Sequence, residues 1–213
     1  YADVTTICAG ETVNFTDNSS QATGWEWTFD GGTPSSSTEQ NPSVVYNTAG
    51  VYNVELTITD GSNYDTETKY EYIVVNDVPA QANTPEGDEE ICTSSFNTFT
   101  TDEVDYAEEY EWELSPEEAG TIDWTDNEAQ VEADETWTGT FYVKVRALNT
   151  CGDGDWSDNF EGTIISSPED FELLGGGSYC NGGDGVEITL DGSTDGVSYE
   201  LYIGGEPTGT IVE

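Results

Sequence analysis

Alternation of apolar and polar residues runs through most of this chain, and its cleanest instance follows Gly50. From Val51 onward, Tyr52, Val54, Leu56 and Ile58 fall on one face, while Val51, Asn53, Glu55 and Thr57 fall on the other. That period of two predicts a long strand, preceded by a short extended piece at Ser43-Val44-Val45-Tyr46 and a glycine turn. Upstream, Trp25, Trp27 and Phe29 share one face of an aromatic strand that closes at Gly31-Gly32, and at least two of them should fill a core. Val13 and Phe15 alternate on an earlier strand that ends in the turn sequence Asp17-Asn18-Ser19-Ser20. Asp60-Gly61-Ser62-Asn63 reads as a hairpin turn, after which Thr66 to Val75 forms a closing strand with Tyr70, Tyr72 and Val74 alternating.

The pattern then repeats in a second stretch. Residues 76–90 are rich in Pro, Gly and acids and read as a linker. Beyond it, Tyr110, Trp112 and Leu114 alternate with Glu109, Glu111 and Glu113, which gives one strand a carboxylate-coated face. Phe141, Val143, Val145 and Ala147 alternate with Tyr142, Lys144 and Arg146, so two basic side chains share an exposed face suited to pairing with those glutamates. After Ser166-Ser167-Pro168, Val186, Ile188 and Leu190 and then Val197, Tyr199, Leu201 and Ile203 predict one hairpin around Asp191 to Gly196. No stretch keeps a 3.6-residue apolar period for three turns. The expected fold is all-β, with units at residues 1–76, 79–166 and 167–213, the last too short to complete a sandwich.

Composition sharpens this picture in two ways. Six Trp and twelve Tyr in 213 residues supply enough apolar surface to fold, despite the polar average. The charge is extreme: 45 acidic residues stand against Lys69, Lys144 and Arg146, a formal net of −42. Nucleic acid and anionic membrane surfaces are excluded as partners, because both require a basic face. There is no apolar run long enough to insert directly into a membrane, and no signal peptide or initiator Met. The chain is therefore expected to be an interior piece of a longer secreted polypeptide. Four cysteines in an acidic all-β chain point to an oxidising compartment.

The run Asn41-Pro42-Ser43-Val44-Val45-Tyr46 followed by Gly50-Val51-Tyr52-Asn53-Val54-Glu55-Leu56-Thr57-Ile58 resembles the polycystic kidney disease (PKD) repeat, an immunoglobulin-like β-sandwich of cell-surface proteins. Trp27-Thr28-Phe29-Asp30-Gly31-Gly32 departs from that family's Trp-x-Phe-Gly-Asp-Gly turn. The order Cys92, Trp112, Cys151 resembles the immunoglobulin arrangement of a tryptophan between two bridged cysteines, and the resemblance implies a Cys92–Cys151 disulfide. Cys8 and Cys180 are expected to be unpaired within their own units. Ile7-Cys8-Ala9-Gly10-Glu11, Gly31-Gly32-Thr33-Pro34 and the glycine-rich stretch Gly177 to Gly183 with Gly196-Val197-Ser198-Tyr199 are similar to repeats of very large Bacteroidetes adhesins. That likeness implies type IX export and display on the cell surface.

Candidate chemistry is sparse. The absence of histidine removes the commonest general base, and carboxylates are too numerous for an acid–base pair to stand out. The expectation is a protein that is not an enzyme. Asp153, Asp155 and Asp158 lie in a glycine-containing loop, where oxygens at i, i+2 and i+5 could serve a hard cation, so Ca2+ is the one candidate cofactor. Asp184, Asp191 and Asp195 form a weaker set. Trp25, Trp124, Trp137 and Trp156 lie at strand starts or near loops, where a coplanar pair would suit a sugar.

These readings converge on a structural or adhesive repeat segment of a giant secreted surface protein, serving as an adhesin stalk or part of an extracellular filament. Its expected partners are neighbouring repeats of the same polypeptide, other copies in a filament, and surface glycans or other cells. The alternative is a carbohydrate-binding accessory region of a secreted hydrolase.

Overall fold

The computed structural model of the chain describes residues 1–178, 181–182 and 185–212. Eight strands build a first sandwich: β1 (Thr6–Cys8), β2 (Glu11–Asn14), β3 (Gly24–Phe29), β4 (Gly32–Thr33), β5 (Ser36–Ser37), β6 (Ser43–Tyr46), β7 (Gly50–Thr59) and β8 (Tyr64–Asn76). One sheet runs β1-β8-β7-β3-β5 and the other β2-β6-β4. Between them lie Val13, Phe15, Trp27, Phe29, Val44, Tyr46, Val54, Ile73 and Val75. The aromatic strand behaves as its alternation requires: Trp27 and Phe29 are buried, and Trp25 packs at the edge of the cluster. Phe15 sits 4.8 Å from Phe29 and 5.7 Å from Trp27 between ring centroids.

Two turns show how short polar side chains fix this sandwich. Asp60 accepts backbone N–H bonds from Ser62 and Asn63 at 2.8 Å, closing the hairpin between β7 and β8. Asp17 is buried, accepting from the Ser19 backbone at 2.9 Å and from the Trp25 indole at 2.7 Å. Burial pushes the Asp17 carboxyl up, but hydrogen bonds from Ser19, Trp25 and Gln40 outweigh it and hold the group below its ordinary value.

The closing strand departs from the expected phase. Tyr70 is 76% exposed, while Ile73 and Val75 fill the core. Register sets the odd-numbered side inward, with Val75 opposite Ile7 and Ile73 opposite Tyr52, and a bulge interrupts the ladder where Tyr52 pairs with Ile73 but Val54 pairs with Lys69. Glu71 takes a positive φ of 50° there, and its N–H is captured by the Asn53 side chain at 2.8 Å. The bulge adds two residues, an even number, so Lys69 and Ile73 stay on the same side of the strand.

The second sandwich comprises β9 (Glu90–Cys92), β10 (Phe96–Thr100), β11 (Glu109–Ser115), β12 (Gly120–Thr125), β13 (Glu128–Ala133), β14 (Gly139–Asn149), β15 (Gly152–Asp153) and β16 (Phe160–Ile165). Sheet β11-β14-β16-β9, with β15 on β14, faces sheet β10-β13-β12. Phe141, Val143, Val145 and Ala147 are all fully buried, and Trp112 and Leu114 join them from β11. In both sandwiches the opening strand pairs parallel to the closing one. Cys8 stands opposite Asn76, and Cys92 stands opposite Ile165.

After Ile164 no described residue is buried. Here the structure corrects the expected hairpin around Asp191 to Gly196. β17 (Leu173–Gly175) pairs with β18 (Ile188–Leu190), and β19 (Tyr199–Ile203) pairs with β20 (Glu206–Val212). For β19 and β20 the physical reason is loop length. Gly204-Gly205 supplies a two-residue turn with φ of 64° and 88°, the geometry that matches strand twist. Asp191 is instead committed to Glu172, donating its N–H to the carbonyl at 3.0 Å and accepting the Glu172 N–H at 2.7 Å.

Two substitutions test this packing. A Cβ at Gly162 would lie 2.6 Å from the ring of buried Phe141, so Gly162→Ala should lower stability by about 1–3 kcal/mol in urea unfolding, the usual penalty for overpacking. Asp17→Asn should cost roughly 1–3 kcal/mol near neutral pH, the value of hydrogen bonds to a charged acceptor. A carboxyl held below its ordinary value contributes stability that is present above the unfolded-state pKa of about 3.9 and is lost as pH falls through the native value. Urea midpoints of wild type and variant should therefore converge below about pH 4.

Candidate functional site

The junction between the two sandwiches concentrates the chain's special chemistry. At the end of β8, Ala9 N–H donates to the Asn76 carbonyl at 2.9 Å, which seats Cys8 beside the linker. From the other side, the loop after β14 brings in Cys151, whose N–H is fixed by Asn149 Oδ1 at 2.8 Å. Cys8 and Cys151 are joined by a disulfide, Cα to Cα 5.4 Å, across 143 positions of sequence. This corrects the pairing carried over from immunoglobulins. Cys92 ends β9, which pairs with the closing strand β16, and has no disulfide partner among the described residues. The reason is directional: Cys151 lies past the end of the hydrogen-bonded part of β14, at the sandwich's end next to the linker. An immunoglobulin cysteine instead lies within its strand and points into the core. Cys180 lies outside the described residues.

The linker is strapped down along the same loop. Asn149 Nδ2 donates to the Asp77 carbonyl at 2.7 Å and to the Tyr106 carbonyl at 2.9 Å, and Gln81 Nε2 donates to the Trp156 carbonyl at 2.8 Å. Gly154 permits the approach, since a Cβ there would lie 2.8 Å from the Pro79 carbonyl oxygen and 3.0 Å from that of Ala147. Loop closure by the disulfide contributes about 5 kcal/mol by the chain-entropy estimate.

Next to the bridge lies a cationic cluster. Register sets Glu111 opposite Arg146 and Glu113 opposite Lys144, as the alternation of both strands predicts. Arg146 bonds Glu111 through Nε at 2.6 Å and reaches Asp153 at 3.1 Å, while Lys144 meets Glu113 at 3.1 Å. Trp156 covers both cations, 4.5 Å from Lys144 Nζ and 4.8 Å from the Arg146 guanidinium carbon.

That cluster decides what the predicted residues do. Asp153 is an ion-pair partner of Arg146. Asp155 and Asp158 are exposed, and Asp158 enters the local network through its backbone carbonyl, which accepts from Ser157 Oγ at 2.9 Å. Among the described residues, no three Asp, Glu, Cys or His side chains are placed to hold a metal ion, so the loop does not gather Asp153, Asp155 and Asp158. Asp184 lies outside the described residues. The four tryptophans are likewise dispersed. Trp25 bonds Asp17, Trp137 packs on the second core, Trp156 covers the cations and Trp124 is 45% exposed on β12.

A cavity of about 300 Å³ opens in the first sandwich, with Trp27 and Leu56 among its lining and Asp17, Glu67, Lys69 and Tyr72 around it. Lys69 Nζ lies 4.7 Å from the Tyr72 ring centroid and 5.5 Å from that of Tyr1. Tyr46 is fully buried, and its hydroxyl has no partner among the described residues. Burial first, and then Asp30 and Tyr52, push its pKa up to about 12, so it stays protonated.

Sequence reasoning placed the glutamate–cation pairs but missed Asn76, Asn149 and Trp156 as the fittings of the junction. The available signal was the recurrence of Ile-Cys before each unit's second strand, at Ile7-Cys8 and Ile91-Cys92, with Asp77-Val78-Pro79 and Ser166-Ser167-Pro168 after each closing strand.

If the acidic loop only solvates charge, calcium acts as a general counter-ion. The rise in melting temperature on adding millimolar calcium should then be the same in wild type and in the Asp155→Asn, Asp158→Asn double variant. A smaller rise in the variant would restore a metal role for the loop.

Residues 2–75 match the model of the family described as PKD domain, and residues 78–161 match that of the family described as PKD-like domain. No curated protein matches the chain. Among solved structures, a chain from the crystal structure of a mouse coronavirus receptor-binding domain complexed with its murine receptor is 13% identical. That match covers 78% of this chain and 98% of that one, at a TM-score of 0.45. A structure of titin domains is also 13% identical, covering 76% of this chain and 61% of that one at a TM-score of 0.47. The ectodomain of mouse nectin-like molecule 4 is 10% identical over 78% of this chain and 63% of that one, at 0.40. By the family matches, the two sandwiches bridged through Cys8 and Cys151 are a PKD domain followed by a PKD-like domain.

Proposed function

We propose that this chain is a structural, non-catalytic segment of a giant secreted surface protein, serving as an adhesin stalk or part of an extracellular filament. We assign that protein to the Bacteroidetes adhesins exported by the type IX system. The observation that carries the reading is the covalent bridge between two PKD-type domains at their linker. A disulfide persists in an oxidising, extracytoplasmic setting. Placed between domains, it fixes one unit on the next, which serves spacing and load and contributes nothing to chemistry at a cleft. The acidic coat supports the same role. At a net charge of −42, neighbouring copies repel one another unless salt screens them, which keeps a long array extended and soluble.

Antibodies raised against residues 1–165 should label intact, unpermeabilised cells of the source organism, and deletion of the type IX export machinery should abolish that labelling. On a glycan array the same fragment should bind no defined polysaccharide. Labelling confined to the growth medium, together with tight binding to one polysaccharide, would favour an accessory region of a secreted hydrolase.

A further inference from the structure

We infer that the Cys8–Cys151 disulfide is a load-bearing bypass: tension applied on either side of the bridge crosses from one sandwich to the next past nearly all of both cores. This rests on reading the chain as a tether, although the topology behind it holds whatever the chain's role. A covalent link between positions 8 and 151 makes everything between them a closed loop. A pulling force entering at Tyr1 runs through β1 to Cys8, crosses the sulfurs, and leaves along β15 and β16 towards the third unit. Of the buried apolar side chains in the two cores, only Ile7 and Ile164 lie on that path; all the others, from Val13 to Ala147, lie inside the loop.

Of the strands left under tension, β1 and β16 are paired so as to resist it. β1 pairs parallel with β8, and β16 pairs parallel with β9 and antiparallel with β14. Force along such strands loads several ladder hydrogen bonds together. The bridge also sits where the path is shortest, since Cys8 stands opposite Asn76, the last residue of β8, and Cys151 Sγ lies 3.9 Å from the Asn76 carbonyl oxygen. Without the sulfur link, the same tension would travel through β8 and the linker and would unravel both sandwiches. With it, loss of either core leaves the span between the two ends almost unchanged.

The test is single-molecule pulling of the full chain, residues 1–213, held by its two ends. Cys92 and Cys180 are both replaced by Ser, so that only the Cys8–Cys151 pair can form. Under oxidising conditions, complete unfolding should release only the residues outside the loop. After reduction, the fully extended length should grow by about 500 Å, the reach of the 143 hidden positions at roughly 3.3–3.6 Å each. Adding Cys8→Ser and Cys151→Ser should give the long extension with or without reductant. Equal extensions before and after reduction of the bridged chain would overturn the inference, as would non-reducing peptide mapping that finds both thiols free. Neither result bears on surface display, which the antibody experiment measures separately.

Discussion

The architecture turns on where each sandwich puts its first strand. Because β1 lies parallel to β8, the start of the first unit is returned to its own exit point, and Cys8 comes to rest beside the linker. An antiparallel opening strand would have sent the cysteine to the opposite end of the sandwich. β14 then carries Asn149 and Cys151 out of the second unit towards the same place, and Asn149 fixes both the bridge loop and the linker. One backbone choice therefore decides that the cysteine cross-links two domains and does not staple one.

The same geometry recurs one unit later. Cys92 occupies on β16 the position that Cys8 occupies on β8, and Thr93 N–H donates to the Ile165 carbonyl at 2.9 Å as Ala9 does to Asn76. Ser167 then closes on Thr93, its Oγ donating to the Thr93 carbonyl at 2.6 Å. Each unit's opening strand is thus presented at the boundary with the unit that follows. The core tryptophans repeat as well: Trp27 and Trp112 each sit on the strand beside the long central one, and each indole donates to a loop carbonyl, that of Glu39 or Asp126.

Electrostatics works against this compact state and is managed locally. With so few cations available, each is used more than once. Lys144 and Arg146 each pair with a facing glutamate and share the Trp156 face, and Lys69 lies between Tyr1 and Tyr72. Such partly exposed pairs contribute little individually. Their consequence is positional, because Arg146 holds Asp153 and so orders the loop that carries the bridge.

The sequence by itself determined the strands whose side chains alternate without interruption. β3, β7, β11 and β14 were all legible, together with the facing of Trp27, Val54, Trp112 and Val145 and the register of Glu111 and Glu113 on the cations. Period-two patterning is a local property, and burial reads it directly. The pair β12 and β13 was equally written, with Ala129, Val131 and Ala133 alternating against Glu128, Gln130 and Glu132, but small alanines make a faint signal. What the tertiary structure alone decided was every relation between distant positions. The bulge at Glu71 depends on Asn53 across the sheet, and the third unit's hairpins depend on which turn closes at lower cost. The partner of Cys151 depends on the parallel return of β1, 143 positions away. Side-chain period records which face a residue takes; it carries no information about which end of the fold its strand will reach.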